Sequence, residues 1–235
     1  MKHLQILGML CIMLNSFFAC KKSEDSPAPA SNVINWKEEL KNTTWAGEYK
    51  YTSGSNQSLQ PFSTKLNADG TLTWTDLENT RPAGTWKVEG SQLNFTFPNS
   101  TTLSATLGKE QWSDFKSGVG AGFVIDNAFR SMQPGAFTLL NTTWKGTHLL
   151  DVLIIKFLGD NTVIFSKNGE NYYDKGTYSM SSAGLQFNWG GPGELAQFSF
   201  FGIFKNDKTA MTSAYHYRHT IFDIDEDVHW TAIKQ

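Results

Sequence analysis

The sequence LKNTTWAG at residues 40–47 returns as LLNTTWKG at residues 139–146, with six of eight positions identical. Three further blocks follow in the same order: residues 65–74 align with 156–165, 84–86 with 176–178, and 93–97 with 185–189. The offsets are 99, 91, 92 and 92 residues, so the matches are collinear with one loop shortened. Similarity at a fixed period indicates that the chain contains the same structural unit twice.

The repeated blocks have the pattern of β-strands. Apolar and polar residues alternate strictly in 93–97 and in 185–189, which predicts strands with one buried face. Asp69-Gly70 and Asp160-Asn161 lie between apolar runs and predict hairpin turns, because these residue types tolerate positive φ. Two glycines that open the next strand, Gly84 and Gly176, predict a bulge or a tight bend.

The whole chain of 235 residues fits the same class, since eight Trp and 17 Phe are separated by turn-rich polar runs. We predict an all-β fold of two tandem small antiparallel barrels or sandwiches, with seven or eight strands in the second copy. Strands are expected at 102–107, 111–116, 136–140, 197–204, 209–222 and 228–233, with a helical turn at 126–132. Each copy is expected to close on itself; the alternative is that the copies contribute halves of one larger barrel.

The succession of TTWxG, a DGT-type turn, GTW or GTY and an alternating strand resembles the small lipocalin-like domains found in many bacterial lipoproteins. The resemblance covers most of residues 40–100 and 139–235, and we place the two domains at 34–135 and 136–235. It implies an up-and-down barrel or a half-open sandwich whose interior holds a small apolar molecule. Six aromatic residues would line such a pocket, or would fill the core themselves: Trp45, Trp74, Trp86, Trp144, Phe165 and Tyr178.

The N-terminus has the features of a secretion signal, with a basic start followed by an apolar stretch at 4–18. That stretch is shorter than the roughly 20 residues of a spanning helix. The sequence FFAC at 17–20 resembles the lipobox of bacterial lipoproteins, which implies removal of residues 1–19 and acylation of Cys20. The alternative is ordinary cleavage that leaves a free thiol. Residues 20–33 are polar, with Pro27 and Pro29, and are expected to form a flexible tether.

These features predict a membrane-anchored lipoprotein of the cell envelope, in the outer membrane at its periplasmic or surface face. Loss of the signal removes one Lys, so the formal charge changes from −2 to 19 − 22 = −3. This small negative net charge does not indicate the basic surface that a nucleic-acid-binding protein needs. Cys11 is discarded with the signal, so the mature fold is expected to stand without disulfides.

Asn35 and Glu38 have the spacing of a helix capping box. They predict a short helix at 36–40 that acts as a lid or plug of the first domain.

Four motifs that carry chemistry are absent from the sequence: a phosphate-binding loop with Lys, HExxH, CxxC and GxSxG. We interpret the glycine-rich run at 118–122 as a loop. Asp223, Asp225 and Asp227 have the spacing of the first ligands of a calcium loop, but Val228 stands where that loop needs Gly. We therefore expect no metal, no cofactor and no catalytic residue.

The histidines do not predict a zinc site either. His216 and His219 are three residues apart on a predicted strand and so point to opposite faces. A hairpin that turns at 225–226 would place His229 opposite Phe222, far along the strand from His216.

Two functions remain. The first is a non-enzymatic binding protein that holds a small apolar or glycan-like ligand. The second is a protein-protein interaction scaffold of an envelope complex, with filled barrels. An envelope hydrolase is the least supported, because no nucleophile and base can be paired.

Overall fold

The computed structural model describes residues 34–53, 58–98, 100–118, 121–131, 138–189, 195–205 and 207–235, without the side chains of 171–175. The predicted signal peptide, Cys20 and the tether lie outside these residues. So do part of the glycine-rich run at 118–122 and the first two residues of the strand expected at 136–140. The other three, 138–140, form no strand, so that prediction is wrong for them: the chain turns at 140–141 before the next strand begins. In the part of the chain that is described, no helix has the length and apolar character needed to cross a membrane.

The first element is the short helix α1 (Trp36–Leu40), which confirms the capping prediction. The Asn35 side chain accepts a hydrogen bond from the backbone N–H of Glu38 at 3.4 Å. Leu40, at the end of the helix, is 1% exposed and belongs to the core of the first barrel. The helix therefore covers the end of the barrel at which the first strand begins.

The first repeat copy forms a closed eight-stranded antiparallel barrel, here called barrel 1. The first strand pairs with both the second and the eighth, so the sheet has no free edge. Its strands are β1 (Thr43–Tyr51), β2 (Gln60–Leu66), β3 (Thr71–Thr75), β4 (Thr80–Glu89), β5 (Gln92–Thr96), β6 (Thr102–Thr106), β7 (Gln111–Ser117) and β8 (Phe123–Arg130).

The second copy forms a second closed barrel of eight antiparallel strands, barrel 2. Its strands are β9 (Thr143–His148), β10 (Asp151–Phe157), β11 (Thr162–Lys167), β12 (Glu170–Ser181), β13 (Gly184–Trp189), β14 (Ala196–Phe204), β15 (Ala210–His219) and β16 (Ile224–Lys234). The predicted all-β class and the tandem barrels are confirmed, and each copy closes on itself.

The repeat extends to individual hydrogen bonds at the start of each barrel. The indole Nε1 of Trp45 donates to Thr43 Oγ1 at 2.9 Å, and that hydroxyl donates to the Leu40 carbonyl at 2.6 Å. In barrel 2, Trp144 donates to Thr142 Oγ1 at 3.0 Å, and this hydroxyl donates to the Leu139 carbonyl at 2.6 Å. In each copy, the TTW motif therefore fixes a buried indole to the backbone at the end of the barrel through two hydrogen bonds.

Both hairpin turns are present, but the predicted positive φ occurs at both turn residues of the second copy and at only one of the first. Asp160 and Asn161 both have positive φ, 57° and 55°. In barrel 1 only Gly70 does, at 86°. There the Asp69 carboxylate accepts hydrogen bonds from the backbone N–H and the hydroxyl of Thr71, at 2.9 and 2.7 Å. An Asx turn of this kind stabilises the bend without a left-handed residue at Asp69.

The bulges expected at Gly84 and Gly176 are present. The register between β3 and β4 shifts beside Gly84, which has φ 134°. The register between β11 and β12 shifts directly after the pair Val163↔Gly176.

The helical turn predicted at 126–132 is wrong, because β8 runs to Arg130 and closes barrel 1 against β1. A bulge in β8 shifts the β1–β8 register, because Glu48 faces Asn127 and the next residue, Tyr49, faces Ile125, which leaves Asp126 as the extra residue. Ile125 and Ala128 consequently both belong to the core, three residues apart. This spacing interrupts the alternation of a strand and imitates that of a helix.

The C-terminal hairpin turns at 220–223 and not at 225–226 as predicted. His219 pairs with Ile224, and His229 lies opposite Ala214. This register makes Tyr215 and Val228 direct partners, and both belong to the core of barrel 2. His216 then faces Asp227, with Nδ1 2.8 Å from the carboxylate.

Both barrels belong to one compact unit, residues 35–235. Ala46 of β1 packs with Phe201 and Ile203 of β14 in a buried apolar cluster between them. Beside it, the carboxylate of Glu48 is 6% exposed and accepts hydrogen bonds from Asn127 Nδ2 and Thr212 Oγ1.

Candidate functional site

A cavity of about 370 Å³ opens at the end of barrel 1 opposite α1, and we call it the mouth. The strands determine its position, because β1 begins beside α1 and ends at Tyr51 on the cavity wall. Five aromatic side chains line it: Tyr49, Tyr51, Trp74, Phe97 and Phe123. A volume of this size lies within the range of small-molecule sites.

Trp74 is the centre of this aromatic wall. One face of its indole stacks on Phe62, with ring centroids 4.2 Å apart and an interplanar angle of 2°. Tyr49 meets the indole edge-on at 5.7 Å, and Phe97 does so at 6.1 Å. Such edge-to-face contacts stabilise a fixed arrangement of rings. The wall is therefore held rigid by rings that contact one another across several strands.

The polar part of the mouth is a buried carboxylate, Asp76, which is 4% exposed. Its Oδ2 accepts a hydrogen bond from Trp74 Nε1 at 3.0 Å, and Oδ1 accepts the backbone N–H groups of Glu78 and Asn79 at 3.1 and 3.3 Å. Arg81 donates to both oxygens, at 2.9 and 2.8 Å. Each carboxylate oxygen thus accepts at least two hydrogen bonds. Asp76 therefore holds both the Trp74 indole and the Arg81 guanidinium in position.

Arg81 presents the charged group that a ligand would meet, since its side chain is 41% exposed. The hydrogen bond to Asp76 raises the pKa of Arg81 further above its ordinary value, so the guanidinium stays charged. Burial, followed by the hydrogen bond with Tyr51, raises the pKa of Tyr49 well above its usual range. The Tyr49 hydroxyl is therefore neutral, and it donates to Gln60 Oε1 at 3.0 Å.

Of the six aromatic residues proposed from the sequence, Trp74 lines the mouth. Trp45 is 1% exposed and stacks on Trp112 in the core of barrel 1, with centroids 4.4 Å apart. Trp86 lies toward the opposite end and donates to the Asn67 carbonyl at 3.0 Å. The other three are in barrel 2, in or against its core: Trp144, Phe165 and Tyr178. The structure does not bring the six together.

The sequence reasoning missed most of the mouth, namely Tyr49, Tyr51, Phe97, Phe123 and the pair Asp76–Arg81. Phe97 could have been found, since it continues the alternating run of 93–97. The others come from different strands and loops, and only the closed register of the barrel makes them neighbours.

Among the described residues of barrel 2, no equivalent of the mouth is found. Stacked rings occupy its interior there, with Phe187 and Phe200 4.2 Å apart and Phe198 and Tyr215 5.1 Å apart. At the position equivalent to Asp76 stands Lys167, whose ammonium lies 3.0 Å from Asp151 and 3.3 Å from Glu226. Burial alone would lower the pKa of Lys167, but these two carboxylates raise it. An ion-pair network thus occupies the place of the buried carboxylate of barrel 1.

A larger hollow of about 530 Å³ lies at the α1 end of barrel 1. Trp86 is its single aromatic lining residue, beside Lys37, Lys87, Glu89 and the turn at 68–70. Ligand sites are lined mainly by apolar and aromatic side chains with a few fixed polar groups. The mouth has that composition and the larger hollow does not, so the mouth is the candidate site.

Among the described residues, no group of three or more His, Cys, Asp or Glu side chains is placed to hold a metal ion. Asp225 and Asp227, which resembled calcium ligands in the sequence, instead face His216, at 3.6 and 2.8 Å from its ring nitrogens.

Comparison of the chain with protein-family models, with curated proteins and with solved structures found no match.

Proposed function

We propose that this chain is a non-enzymatic, lipid-anchored binding protein of the cell envelope, in which the mouth of barrel 1 holds a small ligand. The anchor would be an acylated Cys20, and the tether at 20–33 would carry the lipocalin-like barrels away from the bilayer. The observation that carries the ligand site is the aromatic cavity of about 370 Å³ with one fixed guanidinium at its edge.

The lining favours a ligand with an apolar body and a few polar groups. Its body would lie against the rings around Trp74, and its oxygen atoms would accept hydrogen bonds from Arg81. A short acyl compound or a small glycan has both features. The proposal is non-enzymatic because each oxygen of Asp76 already accepts two or more hydrogen bonds. A carboxylate engaged in this way supports the site and is poorly placed to abstract a proton.

One observation favours the second candidate, an interaction scaffold, for barrel 2. Stacked rings occupy the described part of its interior, as a scaffold with closed cores would require. In our proposal the two roles are divided: barrel 1 binds the ligand, and barrel 2 supports it through the junction around Glu48.

The ligand site is tested with the full chain and the neutral fluorescent probe N-phenyl-1-naphthylamine. The probe is expected to bind the mouth, and fatty acids or oligosaccharides that match the ligand would displace it. Tyr51→Ala removes one wall of the mouth and is expected to weaken probe binding about ten-fold, equivalent to roughly 1.4 kcal/mol. Fluorescence titration measures the dissociation constant.

Trp189→Ala is the matched control, since Trp189 and Tyr51 are equally exposed, at 37% and 36%, but Trp189 belongs to barrel 2. The control is expected to bind the probe like the parent chain. Equal weakening by both variants, or no binding by the parent chain, would contradict a ligand site at the mouth.

The anchor is tested separately by metabolic labelling with an alkyne fatty acid in a bacterial host. The parent chain is expected to incorporate the label, and Cys20→Ser to lose it completely. Cys11→Ser is the control and should be labelled normally, because Cys11 lies within the segment that is removed. Labelling of Cys20→Ser would show that Cys20 is not the acylation site.

A further inference from the structure

Large apolar side chains protrude from one end of barrel 2. The four most exposed of them among the described residues are Leu150 at 96%, Leu149 at 88%, Phe222 at 69% and Ile221 at 64%. Leu149 and Leu150 form the turn between β9 and β10, whereas Ile221 and Phe222 lie in the turn between β15 and β16. These four residues, together with Leu195, are called the apolar rim. Side chains so exposed contribute little to the core of their own barrel.

The strand directions place the turns of the apolar rim at the same end of barrel 2, on separate tips. β16 pairs with β9, and His148 Nδ1 lies 3.1 Å from the His229 carbonyl oxygen, so the β9–β10 turn lies beside the middle of β16 and the β15–β16 turn extends past it. On the other side, Thr220 donates its backbone N–H to the Leu195 carbonyl at 2.9 Å, and Leu195 is itself 57% exposed. The connections β9–β10, β13–β14 and β15–β16 therefore open toward the same end of barrel 2, and each carries exposed apolar side chains among its described residues. Pairs of adjacent, largely exposed apolar residues go beyond the single exposed residues of an ordinary surface and indicate an interaction site.

Charges lie directly behind these tips. Residues 148–151 and 216–227 contain five carboxylates and one Arg, a formal excess of four negative charges with His neutral. Lys167 pairs with two of these carboxylates and offsets one of the charges. Asp225 and Asp227 are well exposed, at 72% and 53% of their side chains. An acidic belt of this kind is repelled by a negatively charged surface, by the same rule that draws basic segments to one.

We propose that the apolar rim of barrel 2 docks into the surface of a bilayer of zwitterionic phospholipids. The tips would enter the boundary between headgroups and acyl chains, as the apolar side chains of interfacial segments do. The acidic belt would then lie at the level of the outermost ammonium groups of phosphatidylcholine or phosphatidylethanolamine. This proposal is independent of a ligand in barrel 1.

The shape of the surface favours a bilayer over a protein partner. The apolar residues occupy separate turn tips, and Leu149 and Leu150 are nearly free of contact with the rest of the chain. A fluid lipid surface adapts to separate protrusions, whereas a protein would need a matching pocket for each tip. Charge gives a second argument, since the belt fits ammonium groups and opposes anionic lipids.

The experiment places an environment-sensitive nitrobenzoxadiazole label at the tip of the apolar rim. The full chain carries Cys11→Ser and Cys20→Ser, and a single thiol is introduced by Leu150→Cys. Asp207→Cys, in the turn between β14 and β15 at the other end of barrel 2, is the matched control. The N-terminal apolar stretch is the same in both, so its own affinity for lipid does not distinguish them.

With phosphatidylcholine vesicles, fluorescence of the label at position 150 is expected to rise several-fold, and that at position 207 to stay unchanged. Addition of phosphatidylglycerol to the vesicles is expected to reduce the rise. Ile221→Cys provides a second label position if Leu150→Cys does not fold. No rise at the rim, an equal rise at position 207, or a stronger rise with phosphatidylglycerol would overturn the proposal.

Discussion

Trp45→Ala is expected to lower the free energy of unfolding by about 3–5 kcal/mol, the range for removal of a buried large aromatic side chain. Trp45 is 1% exposed, and its ring stacks on Trp112 at 4.4 Å. Truncation leaves a void between Trp112 and the helix end, and Thr43 loses the indole N–H that its hydroxyl accepts. Urea denaturation followed by circular dichroism measures the change.

Two variants define the cause of that loss. Trp45→Phe keeps a ring in place but removes the hydrogen bond, and is expected to cost clearly less than Trp45→Ala. Trp144→Ala removes the equivalent residue of barrel 2, which is 0% exposed and makes the same hydrogen bond, so it is expected to match Trp45→Ala. A loss below about 1 kcal/mol for Trp45→Ala, typical of a surface position, would contradict an anchoring role.

The fold was predictable because its signals are local and occur twice. Alternation in 93–97 and 185–189 identified strands β5 and β13, and the glycines at 84 and 176 marked bulges that the structure contains. The error at 126–132 arose where a bulge breaks the alternation. β8 has one extra residue, Asp126, opposite the step from Glu48 to Tyr49, so Ile125 and Ala128 face the core three residues apart. Such a bulge is recognised only when β8 is paired with β1, because the apolar spacing of β8 alone resembles that of a helix.

The candidate site was less predictable, and the repeat itself explains why. Residues shared by both copies, such as Trp45 and Trp144, hold the architecture, and the sequence reasoning selected them because they recur. The mouth depends on positions at which the copies differ: Asp76 corresponds to Lys167, and Tyr49 corresponds to His148. In a duplicated chain, the recurring residues report the fold, and a function specific to one copy is found among the others.

The last residue of the TTWxG motif leads to the second large expected effect: Gly146→Ala is expected to destabilise the protein by about 3 kcal/mol or more. A Cβ at Gly146 would overlap the Thr231 carbonyl oxygen and lie 2.6 Å from Cε3 of Trp230. Both groups belong to β16, which closes barrel 2 on β9 through three residue pairs. Overpacking alone costs typically 1–3 kcal/mol. At Gly146 the clash is with a backbone carbonyl, which cannot move as a side chain can. To remove the clash, the short hydrogen-bonded ladder between β9 and β16 would have to open.

Gly159→Ala is the matched control, because a Cβ at Gly159 meets nothing within 4 Å and the backbone there has no positive φ. It is expected to leave stability unchanged or raise it by up to about 1 kcal/mol, through the lower entropy of the unfolded chain. Gly47→Ala should behave like Gly146→Ala, since a Cβ at Gly47 would overlap the Asn127 carbonyl of β8, the closing strand of barrel 1. If Gly146→Ala and Gly159→Ala unfolded at the same urea concentration, the motif glycine would not be required for closure. With the expected difference, Trp and Gly of TTWxG have separate tasks: the indole fills the end of each barrel, and the glycine lets the last strand approach the first.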